Sequence, residues 1–308
     1  MLAAVCMTTS LAAQERMSGF ADQLLGRWDL TVESEDGPYP AWLEVRLRTE
    51  RDLMGRFVGR VGSVRQLGTI DYLDGRLELI VPVQYEPGLG DLRFEGRLVG
   101  ERLEGTTVGA GENTLPWTGV RAPALTNAGE RKPREPVVLF NGEDLEGWLP
   151  RTDRPADCWS VASGVLVAVP PCVDLLTERV FDDFVLHAEL QYPQGSNSGI
   201  YLRGRYEVQI QDDAGKALDP LRMGAIYGFL APSVDAARNA GEWQTLDVTL
   251  LGRRVTVVLN GTTIIDDAEI PGITGGALDS REGSPGPIML QGDHGAIRLR
   301  NLTVTPFR

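Results

Sequence analysis

QGSNSGIYLRGRYEVQIQDD, residues 194–213, decides how this chain is read. Side chains on a strand point alternately to opposite faces, so Ile200 and Leu202 share one face and Tyr201 and Arg203 the other. The following segment alternates in the same way, with Val208 and Ile210 opposed to Glu207, Gln209 and Gln211. A two-residue turn at Gly204-Arg205 pairs Leu202 with Glu207 and mixes the faces. A three-residue loop, Gly204-Arg205-Tyr206, pairs Arg203 with Glu207, Tyr201 with Gln209 and Gly199 with Gln211, which leaves one apolar and one polar face. The pattern therefore predicts a hairpin in the second register, with Asn197 and Asp212 near the strand ends. Its polar face has two readings. One is a solvated sheet surface with a cross-strand ion pair; the other is a site whose amides, carboxylate, arginine and tyrosine grip sugar hydroxyls or move a proton.

Working outward, the same short alternating segments recur, and 36 glycines with 19 prolines supply many turns, so the fold class is all-β. Residues 18–120 read as a small antiparallel β-barrel or sandwich domain, with Asp74-Gly75 and Gly100-Glu101 at hairpin turns. Its opening, LLGRWDLTV, is like the first strand of lipocalin-type up-and-down barrels. RAPALTNAGERKPREP, residues 121–136, has the composition of a linker. Residues 137–308 carry strands at close spacing without a repeat of about 40 to 50 residues, which favours a two-sheet sandwich over a propeller.

The formal charge of −13, from 43 acidic and 30 basic residues without a basic block, argues against nucleic acid and anionic membranes as partners. Neutral ligands such as sugars stay open. Residues 1–17, MLAAVCMTTSLAAQERM, hold an apolar, small-residue run ending in Leu11-Ala12-Ala13-Gln14. This reads as an export signal, implying a periplasmic or extracellular protein, or as a disordered terminus. No other stretch approaches the length of a membrane span. With Cys6 in that segment, Cys158 and Cys172 remain, and in an exported protein they favour a disulfide; two buried free thiols are the other reading. Oligomeric state is not legible. There is no Gly-rich phosphate loop, no His-Glu-x-x-His and no Gly-x-Ser-x-Gly elbow. A two-carboxylate glycosidase mechanism stays open, because carboxylate spacing is three-dimensional.

LFNGEDLEGW (139–148), CWSVASGVLVA (158–168), NSGIYLRGRYEVQIQDD (197–213), GAIYGFLAP (224–232), GEWQTLDVTLLGRRVTVVLNG (241–261) and GPIMLQGDHGAIRLRNLTV (286–304) together resemble the 3-keto-disaccharide hydrolase domain, also described as the 3-keto-glucoside 1,2-lyase and hydratase domain. The resemblance covers residues 137–308 and leaves the first 120 without a family. It implies a concanavalin-like jelly-roll β-sandwich whose concave sheet bears the site, acting on oxidised glycosides or oligosaccharides. The chain departs from the family at Gln244 and at Asp293, which lengthens the usual Gln-x-His-Gly to Gln291-Gly292-Asp293-His294-Gly295.

A ketone at carbon 3 acidifies the proton on carbon 2, so a base can remove it and the group on carbon 1 leaves by β-elimination; water added back completes hydrolysis. On this basis Glu207 is the leading base candidate, His294 a second acid or base, and Arg203 a group that orients substrate or stabilises the enolate. Asn197, Tyr201, Gln209, Tyr227 and Gln291 are candidates for substrate binding. No cofactor is implied with certainty; Asp212 is the candidate ligand for a divalent cation. A non-catalytic carbohydrate-binding protein using the same concave face is the alternative. A further idea gives the N-terminal barrel an apolar ligand or a docking partner.

Overall fold

The computed structural model describes residues 22–49, 52–85, 90–108, 113–125 and 131–308. The export-signal-like segment 1–17, with Cys6, lies outside these residues, as does the 126–130 part of the linker. The chain divides into two compact units, Met1–Ala122 and Pro123–Arg308. Among the described residues no helix is long and apolar enough to cross a membrane.

In the first unit, strands Gly26–Val32, Tyr39–Leu47, Leu53–Val58, Arg65–Gln66, Thr69–Leu73, Arg76–Val81, Leu92–Val99, Arg102–Val108 and Thr114–Arg121 make one antiparallel sheet in which the first strand pairs with the last. Closure comes from a bend at Leu67-Gly68. Leu67 donates its N–H to the Gly55 carbonyl at 2.9 Å and Gly68 donates to Ile80 at 3.2 Å, so one bent segment joins both ends of the sheet into a barrel. Alternate residues from every long strand point inward, among them Trp28, Leu43, Phe57, Leu79, Phe94 and Trp117. Phe94 packs at 4.9 Å from Phe57 and 5.9 Å from Trp117, ring centre to ring centre. The interior is thus filled by side chains, which removes the support for an apolar ligand there. Arg121 lies over the Trp28 ring at 3.8 Å and donates to the carbonyls of Gln23 and Leu25.

The second unit is a concanavalin-like jelly roll of two antiparallel sheets. The larger runs, in spatial order, Trp159–Ala162, Val165–Ala168, Ile297–Pro306, Phe184–Gln191, Gln244–Leu251, Arg254–Leu259 and Thr262–Glu269, with Val137–Val138 also paired to Ile297–Pro306. Phe184–Gln191 and Gln244–Leu251 alternate strictly between buried and half-buried positions, as strands with one face in the core do. The smaller sheet runs Trp148–Pro150, Leu175–Phe181, Gly286–Leu290, Asn197–Leu202 and Tyr206–Gln211. Here the alternation disappears: the last two strands are buried at nearly every position, on both faces. The polar face of the hairpin is therefore covered, and the solvated-surface reading does not hold.

Cys158 and Cys172 form a disulfide with their Cα atoms 5.4 Å apart. Closing a loop of this length contributes about 3 kcal/mol in the chain-entropy model, which corresponds to roughly 6–12 °C in a unit of this size. Replacing both cysteines by serine is expected to lower the melting temperature by that amount. Calorimetry of the double variant beside the oxidised and reduced parent chain checks it; an unchanged transition would show that the bridge adds no stability.

Candidate functional site

The hairpin register differs from the one its sequence suggested. The observed pairs are Asn197 with Gln211, Gly199 with Gln209, Tyr201 with Glu207 and Leu202 with Tyr206. The loop is Arg203-Gly204-Arg205, with left-handed φ of 51° at Arg203 and 67° at Gly204. The pairing moved by an even step, so the two faces kept their composition while Arg203 left its place opposite Glu207. The reason lies in the buried groups around the turn. Tyr206 belongs to the strand, buried on the apolar face, with its hydroxyl donating to Glu282 at 3.0 Å. Arg203 turns back over the Tyr206 ring at 5.4 Å and donates to Asp182 at 3.1 Å and to the Gly252 carbonyl. Arg203 is thus a turn anchor, bound away from Glu207.

Strand register assembles the site from five strands. Leu149 pairs with Leu176, Leu176 with Met289, Met289 with Tyr201 and Tyr201 with Glu207, making one row across the sheet. The row beside it holds Arg151, Asp174, Gln291, Gly199 and Gln209, fixed by the N–H of Arg151 donating to Asp174 and that of Gln291 to Gly199. Residues 224–227 extend the sheet: the Gln209 N–H donates to the Ala225 carbonyl, the Gly224 N–H to the Gln209 carbonyl and the Tyr227 N–H to the Glu207 carbonyl, so Tyr227 stands opposite Glu207. Asn197 and Gln211 complete the polar end. The structure brings together Glu207, Tyr201, Gln209, Gln291, Asn197 and Tyr227.

Glu207 retains 4% exposure. Its placement depends on Gly199, since a Cβ there would lie 2.4 Å from the Glu207 Oε1 atom. Tyr201 donates from its hydroxyl to Glu207 Oε2 at 3.0 Å and lies equally close, 2.9 Å, to the Gly275 carbonyl. One proton cannot serve both acceptors at once, so the hydroxyl is shared between the carboxyl and the overlying loop. Burial pushes the Glu207 pKa up to about 8, against the Tyr201 hydrogen bond and the nearby His294 charge, while Asp174 and Asp293 raise it further. Burial, with Glu207 alongside, holds the Tyr201 phenol well above its ordinary value.

His294 sits at the exposed rim. Its Nδ1 meets Asp293 Oδ1, and this hydrogen bond, opposed by partial burial and aided by the charges of Asp293, Glu207 and Asp174, raises the imidazole pKa. The loop is seated by Gly295, where a Cβ would lie 2.5 Å from the Asn197 backbone nitrogen. Asp174, which sequence reasoning missed, accepts from the N–H of Gly292 at 3.0 Å and from Arg151 at 3.0 Å. Arg151, also missed, reaches on to the Ala277 carbonyl at 3.1 Å. No local pattern marks either residue, because each lies outside the hairpin and only the sheet order brings it near. Asp212 accepts the Gly195 N–H at 2.8 Å, which is turn chemistry. Among the described residues no group of three or more His, Cys, Asp or Glu is arranged to hold a metal ion. His187 lies on the larger sheet against Asp247 at 2.7 Å.

Comparison with known proteins follows this geometry. The model of the 3-keto-alpha-glucoside-1,2-lyase-like domain matches residues 135–305. Among solved structures, one proposed glycosyl hydrolase of Parabacteroides distasonis is 30% identical over 58% of this chain and 88% of its own, with a TM-score of 0.48. A second from the same organism is 26% identical over 56% and 98%, with a TM-score of 0.45. A beta-glucanase of Bacillus licheniformis is 14% identical over 59% and 100%, with a TM-score of 0.37. No curated protein matches the chain.

A raised carboxyl pKa has a stability consequence whose sign is fixed. Between the ordinary carboxyl value of 4.5 and about 8 the folded chain holds a proton that the unfolded chain has released. This contribution is fully present below 4.5 and lost as pH rises through about 8. Glu207→Gln keeps the shape without the titration. Its melting temperature is expected to gain on that of the parent chain as pH rises from 5 to about 8, and then to run parallel. A gap independent of pH would show that Glu207 titrates normally.

Proposed function

We propose, from the premise that this chain belongs to the 3-keto-alpha-glucoside-1,2-lyase-like domain family through residues 135–305, that it cleaves 3-keto-glycosides by removing the proton on carbon 2 and expelling the carbon 1 substituent. The observation that carries this reading is the buried carboxyl of Glu207 on a polar sheet face, bonded to Tyr201 and with its pKa pushed up to about 8. A group of this kind is a stronger base than an ordinary carboxylate once ionised, and it works against an acidic C–H bond.

In the reaction the ionised Glu207 takes the carbon 2 proton, and the electron pair moves onto the carbon 3 oxygen as an enolate. Collapse of the enolate breaks the bond from carbon 1 to the leaving oxygen and gives the enone. His294, whose pKa the hydrogen bond to Asp293 raises, supplies the proton to the departing oxygen from the rim. Tyr201 holds the Glu207 carboxyl in position, and the Arg151 guanidinium beside Asp174 is the positive group nearest to hand for the enolate oxygen. Water entering from the exposed end adds to the enone where the full hydrolysis is completed. The disulfide supports an oxidising compartment, in keeping with a periplasmic or extracellular site of action.

The test is release of aglycone from a 3-keto-glucoside and from its unoxidised parent. Only the oxidised sugar is expected to react, and kcat/KM is expected to rise with pH through a limb near 8. Glu207→Gln should lower kcat by a factor on the order of 10²–10⁴ and remove that limb. Saturable sugar binding without turnover by the parent chain would replace this reading with that of a carbohydrate-binding protein.

A further inference from the structure

Asp174 stands just before the strand Leu175–Phe181 and is buried. Its two carboxylate oxygens serve two different parts of the chain. Oδ2 accepts from Arg151 Nη1 at 3.0 Å, and Oδ1 accepts from the N–H of Gly292 at 3.0 Å. The Asp174 carbonyl also accepts the Arg151 N–H at 2.8 Å. With both oxygens engaged, Asp174 is not a second base beside Glu207.

Each partner leads to a group used in the proposed reaction. Gly292 opens the turn that carries Asp293 and His294, and this turn has no slack at its start. A Cβ at Gly292 would lie 2.5 Å from the Val173 carbonyl oxygen and 3.0 Å from Cys172 Cβ. At its far end the Ser196 hydroxyl donates to the Ala296 carbonyl at 2.6 Å. Arg151 spends its other terminal nitrogen on the Ala277 carbonyl at 3.1 Å, in the loop that also meets the Tyr201 hydroxyl at Gly275. Its guanidinium is thereby fixed between that loop and Asp174.

We infer that Asp174 is the positioning residue of this site: one buried carboxylate sets the Arg151 guanidinium and the Asp293-His294 turn at a fixed separation. The inference rests on the proposed function for the roles of Arg151 and His294, and it adds what holds the two in step. A carboxylate suits the task because it offers an acceptor to each side and a charge to both. An asparagine has one acceptor oxygen, so either Arg151 or Gly292 would face its amide nitrogen, donor against donor.

The experiment follows Asp174→Asn and Arg151→Gln by proton NMR of the imidazoles and by turnover of an aryl 3-keto-glucoside. The chain has 2 histidines, so His294 is read directly and His187, on the larger sheet beside Asp247, is the reference resonance. The charged groups that act on His294 are Asp293, Glu207 and Asp174, and Arg151 acts on Asp293. Asp174→Asn removes an anion, so the His294 titration midpoint is expected to fall. Arg151→Gln leaves Asp174 without its cation, so the midpoint is expected to rise. In turnover Asp174→Asn should lower kcat by about 10- to 100-fold with KM little changed, since Arg151 and His294 both act on charge that develops after binding. A residue that only supports the fold would lower the melting temperature and leave the midpoint in place. An unmoved His294 midpoint in Asp174→Asn would overturn the inference, as would a rise in KM without loss of kcat. Where Asp174→Asn does not fold, an unmoved midpoint in Arg151→Gln overturns it equally. Midpoints that move in opposite directions, without turnover by the parent chain, would keep the shared anchor and sink the elimination mechanism. Turnover with fixed midpoints would do the reverse.

Discussion

Placing an ionisable carboxyl on the covered face of a β-sheet is the constraint around which the second unit is arranged. A buried carboxylate is expensive unless its partners are supplied. Here the supply is sparse: one phenol, Tyr201, bonded to one oxygen of Glu207. The other oxygen lies over Gly199, where no side chain fits beside it. The result is a group whose charged form is held at a disadvantage without being forbidden. The overlying loop repeats the same economy of space, since a Cβ at Gly276 would lie 2.4 Å from the Tyr201 hydroxyl. Two glycines, one in the sheet and one in the loop, thus frame the same pair of oxygens.

Behind the turn lies the machinery that keeps this arrangement rigid. Arg205 forks onto Asp279 at 2.8 and 3.2 Å and reaches the Ser284 carbonyl at 2.8 Å. Arg253 pairs with the fully buried Glu282, which also receives the Tyr206 hydroxyl. Thr274 and Leu278 donate backbone bonds to Arg205 and Gly204. The loop that covers Tyr201 is therefore tied to the hairpin turn by charge-assisted bonds of fixed geometry. Buried ion pairs are a weak source of net stability, because desolvation offsets most of their attraction, but removing one partner is costly. Their effect here is to fix one position of the loop relative to Glu207.

The sequence made the strands legible, and also the division of the hairpin into two faces, since alternation is a local property and survives a shift of two residues in pairing. Register was not legible. A choice between adjacent even registers turns on whether Arg203 or Tyr206 is the better strand residue, and that was settled by Asp182, Gly252 and Glu282, which are remote in the chain. For the same reason Glu207, Gln209 and Asn197 were found from the hairpin itself, whereas Arg151 and Asp174 were not. They reach the site only because Trp148–Pro150 and Leu175–Phe181 lie beyond Gly286–Leu290 in the sheet order. The covering of the polar face was equally hidden, because what covers it is a loop some 70 residues downstream of the hairpin.

Asp174 lies near two titratable groups, Glu207 and His294, and raises the pKa of both. Its carboxylate holds Arg151 on one side and the Gly292 N–H on the other, and Gly292 begins the turn that carries Asp293 and His294. The turn is further wedged at Gly292, where a Cβ would meet Cys172 at 3.0 Å and the Trp159 ring at 3.1 Å. The disulfide and Asp174 thus fix the start of the turn while its tip stays in solvent. The hydrogen bond to Asp293 favours the imidazolium of His294, whereas burial disfavours the carboxylate of Glu207. Both pKa values are therefore raised, that of the imidazole chiefly by its hydrogen bond to Asp293 and that of the carboxyl by burial. Each also depends on the other's charge, since the imidazolium lowers the Glu207 pKa and the carboxylate raises that of His294. Loss of either group shifts the titration of the one that remains.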